Sequence, residues 1–137
     1  MSVDTFTFLN DGRLPSRDQL QAALDAENIN IKLDDVDDLR QFSGYWPAKF
    51  DGHDSGFEWY YGTAVETFGE VPDGVDERSH AVDLVTHSDI RELVCALFVA
   101  GVLAKVADGR FLDEDSGEFV SGDRTIEIAR EIAASDL

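Results

Sequence analysis

Cysteine occurs once, at Cys95, so no disulfide can form within the chain. The core must therefore hold the fold unaided, and 137 residues are enough to bury one. A single thiol also fits a reducing compartment, and a cytoplasmic location is the expectation. Long apolar runs are missing as well. The longest, Leu93 to Ala104, has twelve residues, against ~20 needed to span a bilayer; it reads as a buried helix. The N-terminal MSVDTFTFLNDGR has neither a basic start nor an apolar stretch of the secretory kind. Basic residues are scarce: Lys plus Arg total 11 against 29 for Asp plus Glu, a net charge of −18. That field opposes nucleic acid and anionic membrane surfaces, and it favours encounter with a basic protein.

Three readings of the acidity stand side by side. One is solubility or a compositional bias of the genome. Another is an acidic binding surface. The last is adaptation to high salt, since Asp outnumbers Glu 19 to 10 and Lys numbers 3 against 8 Arg.

Apolar spacing then sets out the elements. Thr5 to Leu9 alternates like a half-buried strand, and NDGR turns the chain. Ser16 caps a helix with Leu20, Ala23 and Leu24 on one face, stopped near Asn28. Residues 28–33 alternate again, with Ile29, Ile31 and Leu33 together. DDVDDLR has room for one helical turn. QFSGYWPAKF and SGFEWYYG, joined through Asp51-Gly52, read as a hairpin. Pro47 lacks an amide donor and so argues for an edge or bulge there. Residues 63–80, TAVETFGEVPDGVDERSH, read as a loop with room for one helical turn first, and HAVDLVTH as a strand. A long buried helix, about 89–107, is capped by Ser88, with Asp89 and Glu92 in its first turn, and ends at Asp108-Gly109. RFLD and EFVS make two short strands, and Asp123 caps a final amphipathic helix carrying Ile126, Ala129, Ile132 and Ala133. The order is not a strict βαβ alternation. It predicts an α+β fold in one domain, 1–137: an antiparallel sheet with hairpins, packed by the long helix and two amphipathic ones.

The chemistry-bearing residues are few. RFLDEDSGEFVSGD, 110–123, is acidic enough to suggest a calcium loop. Counted from Asp113, however, Gly117 falls one place early and Arg124 stands where a bidentate Glu belongs; a hairpin fits better. His80 and His87, seven apart on a strand, point to opposite faces. No metal-ligand spacing accompanies them, and no metal or cofactor is expected. Cys95 lies inside the apolar helix and reads as core. No phosphate-binding glycine pattern and no nucleophile–base pair is present, which leans against an enzyme. What remains is the acidic run Asp34, Asp35, Asp37 and Asp38, and an aromatic surplus in the hairpin. There Phe57, Trp59 and Tyr61 share one strand face and Glu58 and Tyr60 the other.

The C-terminal stretch ALFVAGVLAKVADGRFLDEDSGEFVSGDRTIEIARE resembles the apolar helix, DG stop, paired strands and closing helix of small bacterial domains. With the chain's size, acidity and aromatic hairpin, it resembles the immunity proteins that neutralise bacterial toxins. The resemblance implies a non-catalytic inhibitor that occludes a basic protein partner, such as a toxin. The residues themselves nominate Asp34, Asp35, Asp37, Asp38, Trp46, Glu58, Trp59 and Tyr60 as its contacts, with carboxylates steering and aromatics anchoring. The alternative is a small ligand-binding domain or enzyme with a pocket at the aromatic hairpin, 42–61.

Overall fold

The strand-forming stretches pair into one seven-stranded antiparallel sheet, in a computed structural model that describes residues 2–137. In chain order the elements are β1 (Ser2–Leu9), α1 (Arg17–Ala26), β2 (Ile31–Leu33), β3 (Gly44–Phe50), β4 (His53–Thr63) and α2 (Ala64–Phe68). After them come β5 (His80–His87), α3 (Ile90–Val106), β6 (Arg110–Asp113), β7 (Glu118–Val120) and α4 (Gly122–Asp136). A 3-10 turn at Asp11–Arg13 follows β1. The α+β expectation holds: strand order is β2-β3-β4-β5-β1-β6-β7, so the first strand lies inside the sheet between β5 and β6.

Alternation decides which side chains meet which layer. On one face, Trp46, Phe57, Trp59, Val82, Leu84 and Phe111 pack against α1 and α3 in the main core. α3 is buried almost all round, from Val94 to Ala104, because the sheet, α1 and α4 surround it. On the other face a smaller core gathers Phe6, Phe8, Ala81 and Leu112 under Phe68 of α2 and under Val75. That second core covers only part of the face. The remainder carries no helix.

Several local expectations change. The run 34–41 forms turns and bends rather than a helical turn; the Asp38 carboxylate accepts from the Arg40 amide, satisfying locally what a helix would satisfy along its axis. Asp89, not Ser88, caps α3, accepting from the Glu92 amide, and Ser88 takes a positive φ of 63° instead. Ser121, not Asp123, caps α4 by accepting from the Arg124 amide. β2 is shorter than 28–33 because Asn28 turns left-handed at φ 59°. Asp51 and Gly52 both take positive φ, 50° and 81°, which is the tight turn the hairpin requires. No helix among the described residues is long and apolar enough to cross a membrane.

Candidate functional site

The residues on the uncovered part of the sheet follow from register. Glu58 of β4 faces Tyr45 of β3 on one side and Val85 of β5 on the other. Tyr60, two residues on, pairs with Asp83, which pairs with Phe6 of β1. Asp4 pairs with Val85 and is therefore diagonal to Asp83. Period two puts Tyr45, Glu58, Tyr60, Asp83, Val85, His87 and Asp4 on one surface.

Hydrogen bonds fix its centre. The Tyr60 hydroxyl donates to one Glu58 carboxylate oxygen, and His87 Nε2 meets the other. These contacts hold the Glu58 pKa below the ordinary carboxylate range, Tyr60 first and His87 second, and the same bond raises the Tyr60 phenol. Tyr45 is 50% exposed and Tyr60 37%. The Tyr45 hydroxyl lies 2.8 Å from Glu92 Oε2 and 3.0 Å from the Ser55 carbonyl oxygen, so the ring is held flat across Gly56. A Cβ at Gly56 would come within 2.7 Å of that ring, so glycine there leaves the ring its seat.

Asp83 is the unusual member. It is 8% exposed, and its Oδ1 has no hydrogen-bond partner among the described residues. Burial, and then the Asp4 carboxylate beside it, push its pKa up to about 8. Cations are sparse on this surface: Lys49, on the same face of β3, is paired with Asp54.

The nominated contact residues do not form one patch. Trp46 and Trp59 are fully buried, which corrects their nomination as surface anchors. Trp46 points into the main core, with its indole N–H donating to the Asp34 carbonyl at 2.9 Å; Trp59 donates to the Leu39 carbonyl at 3.0 Å. The two indoles thus tether the acidic loop from below. Asp34, Asp35, Asp37 and Asp38 are all exposed on that loop, with Asp35 3.8 Å from Arg17. The loop belongs to the Trp59 side of the sheet, whereas Glu58 and Tyr60 lie on the opposite, uncovered side. Sequence reasoning missed Tyr45, Asp83 and Asp4. The signal for Asp83 was available: a lone carboxylate within the otherwise apolar stretch Ala81 to Val85.

The remaining candidates resolve simply. His80 stacks on Tyr61, centroids 5.6 Å apart, on the face opposite His87, as the strand period requires. The acidic stretch 110–123 is a hairpin: the Asp113 carboxylate accepts from the Asp115 amide and the Ser116 hydroxyl, both at 3.1 Å, and Gly117 takes φ 73°. No cluster of three His, Cys, Asp or Glu able to hold a metal occurs among the described residues. Cys95 is fully buried and its thiol is pushed up to about 12 by desolvation, which keeps it protonated and unreactive. At the hairpin the aromatic rings Trp46, Phe57 and Trp59 fill the core, and depressions of about 290 and 370 Å³ lie beside Tyr45 and Tyr60.

Comparison of the chain with protein-family models, with curated proteins and with solved structures finds no match.

Proposed function

We propose that the chain is a non-catalytic acidic binding protein, an inhibitor of the immunity type, that occludes a basic protein partner with the uncovered face of its sheet. The observation that carries this reading is the pairing of two exposed tyrosines, Tyr45 and Tyr60, with the carboxylates of Glu58 and Asp4 on one surface, around the buried Asp83. Tyrosine supplies contact area at little cost in side-chain entropy and a hydroxyl at its edge, and such residues dominate binding energy. The carboxylates steer a basic partner and set its orientation. Rigid strands hold the whole set, so little ordering is lost on binding. The tethered loop 34–38 adds to the long-range field from the far side of the sheet.

The test is capture of a basic protein at low and then high salt, with wild type and two variant sets. Tyr45→Ala with Glu58→Lys alters the uncovered face. Neutralising Asp34, Asp35, Asp37 and Asp38 alters only the loop. The expected result is a basic partner released by salt, lost in the first set and weakened modestly in the second. A partner indifferent to the first set but lost in the second would move the interface to the loop. Absence of any salt-sensitive basic partner would sink the proposal. Trp59 variants are unsuited to this test, since they would report on folding.

A further inference from the structure

A cleft of about 430 Å³ lies away from the aromatic hairpin, where the start of β1 and the β6–β7 hairpin meet α3 and α4. Its walls are apolar: Leu93 and Leu97 of α3, Ile128 of α4, Val3 of β1, and Phe111 and Val120 of the hairpin. Its rim is acidic, formed by Asp4, Asp113, Glu114 and Asp115, and no Lys, Arg or His lines it. Asp113 is committed to its turn through two hydrogen bonds; no hydrogen bond or ion pair to the Glu114 or Asp115 carboxylate is seen among the described residues. The volume falls in the range of small-ligand sites, ~300–1,000 Å³.

From this combination we propose that the cleft binds a small organic amine with an apolar body. The body would lie between Leu97 and Phe111, and the ammonium group would sit at the mouth against Glu114, Asp115 and Asp4. An anionic ligand of the same shape meets like charge there, and a neutral one leaves the rim carboxylates facing one another without a counter-ion. The crowding of that rim already has an effect: desolvation, then Asp4, then Asp115 raise the Glu114 pKa, and a bound cation relieves the repulsive part. The walls belong to α3, α4 and the opposite side of β1 from the tyrosines, and the rim shares only Asp4 with the proposed partner surface, so substitutions at Glu114 and Asp115 test the cleft separately.

A matched pair of probes tests it: 4-phenylbutylamine and 4-phenylbutyrate, which share an apolar body and differ in charge. Binding is followed by calorimetry and by amide chemical shifts. The amine is expected to saturate and to shift residues of β1, α3 and the 114–117 turn, while the acid binds roughly tenfold or more weakly. Val3→Trp, placed at the mouth, is expected to abolish amine binding. Glu114→Gln with Asp115→Asn, both on an exposed turn, is expected to leave the fold intact and to bring the two probes to similar affinity. No saturation by the amine would overturn the proposal. So would equal binding of the acid to wild type, or amine selectivity that survives the Glu114 and Asp115 substitutions.

Discussion

The indole N–H of Trp46 donates to the carbonyl of Asp34 at 2.9 Å, in the place that an amide at residue 47 would have taken. The β2–β3 register runs Ile31 with Phe50, Lys32 with Lys49 and Leu33 with Ala48, so Asp34 stands next, opposite Pro47. The Asp34 amide donates to the Pro47 carbonyl at 3.1 Å, and Pro47 has no N–H to return. Trp46 supplies the missing donor. Pro47 therefore stands where β2 ends and β3 becomes an edge, the place its missing amide suits, and the neighbouring side chain completes the ladder.

Trp46→Phe keeps an aromatic ring in the core and removes that donor. The expected cost is about 1–3 kcal/mol, the loss of one partly buried hydrogen bond together with some core volume. Urea unfolding measures it. Amide exchange adds a local readout: residues 34–41 should exchange faster in the variant while α3 stays protected to the extent global stability allows. Unchanged exchange in the loop would mean the indole does not tether it.

Two helices cross where side chains are absent. A Cβ at Gly101 of α3 would lie 2.8 Å from Ile126 Cγ1 and 3.0 Å from the Gly122 carbonyl oxygen; one at Gly122 of α4 would lie 2.5 Å from the Gly101 carbonyl oxygen. Either Gly→Ala change must push the helices apart. Each is expected to cost about 1–3 kcal/mol despite the better helix propensity of alanine. Gly117→Ala, where nothing lies within 4 Å but φ is 73°, would serve as the contrast, its cost coming from backbone strain alone. The unfolding midpoints of the three variants separate packing from strain.

Asp83 sets a pH dependence of a definite sign. Its folded-state pKa is raised from 3.8 to about 8, so the folded chain holds a proton that the unfolded chain has released. The group thus lowers stability progressively as pH rises from about 4 toward about 8, by at most about 1.4 kcal/mol per pH unit. Asp83→Asn should flatten that slope: more stable than wild type near pH 8, and similar to it near pH 4. Unfolding midpoints across this window would show the two curves converging at low pH. Parallel curves would refute the assignment to Asp83.

Glu58 behaves in the opposite way. Its pKa is depressed, first by the Tyr60 hydroxyl and then by His87, so its contribution is present above its unfolded value and is lost as pH falls through the folded one. Tyr60→Phe removes the larger cause. The Glu58 carboxyl should then titrate nearer its ordinary range, which carbon-detected NMR can follow, with His87 still in place.

How much of this was legible in the residues varies with the range of the interaction. The hairpin of β3 and β4 was readable because its turn and its alternation are local. Phe57, Trp59 and Tyr61 did fall on one face, and Glu58 and Tyr60 on the other. Whether the tryptophans reach solvent was not readable, since that depends on α1 and α3 arriving from elsewhere in the chain to cover them. The caps of α3 and α4 were misplaced by one or two residues because Ser88 and Asp89, or Ser121 and Asp123, are equally able acceptors; the backbone path chooses between them. The uncovered face needed register, which joins Asp4 to Val85 and Asp83 to Tyr60 across long separations.

The position of β1 inside the sheet bears on how the chain is made. Ser2 pairs with His87 and Phe8 with Arg110, so β1 leaves the ribosome well before either of its neighbours. Until β5 and β6 emerge, TFTFL is an apolar strand with two open edges, the kind of segment that associates with other chains. Its yield in the cell should therefore depend on the interval between synthesis of residue 9 and residue 110 more than on final stability, and slower translation across that span should cost folded protein.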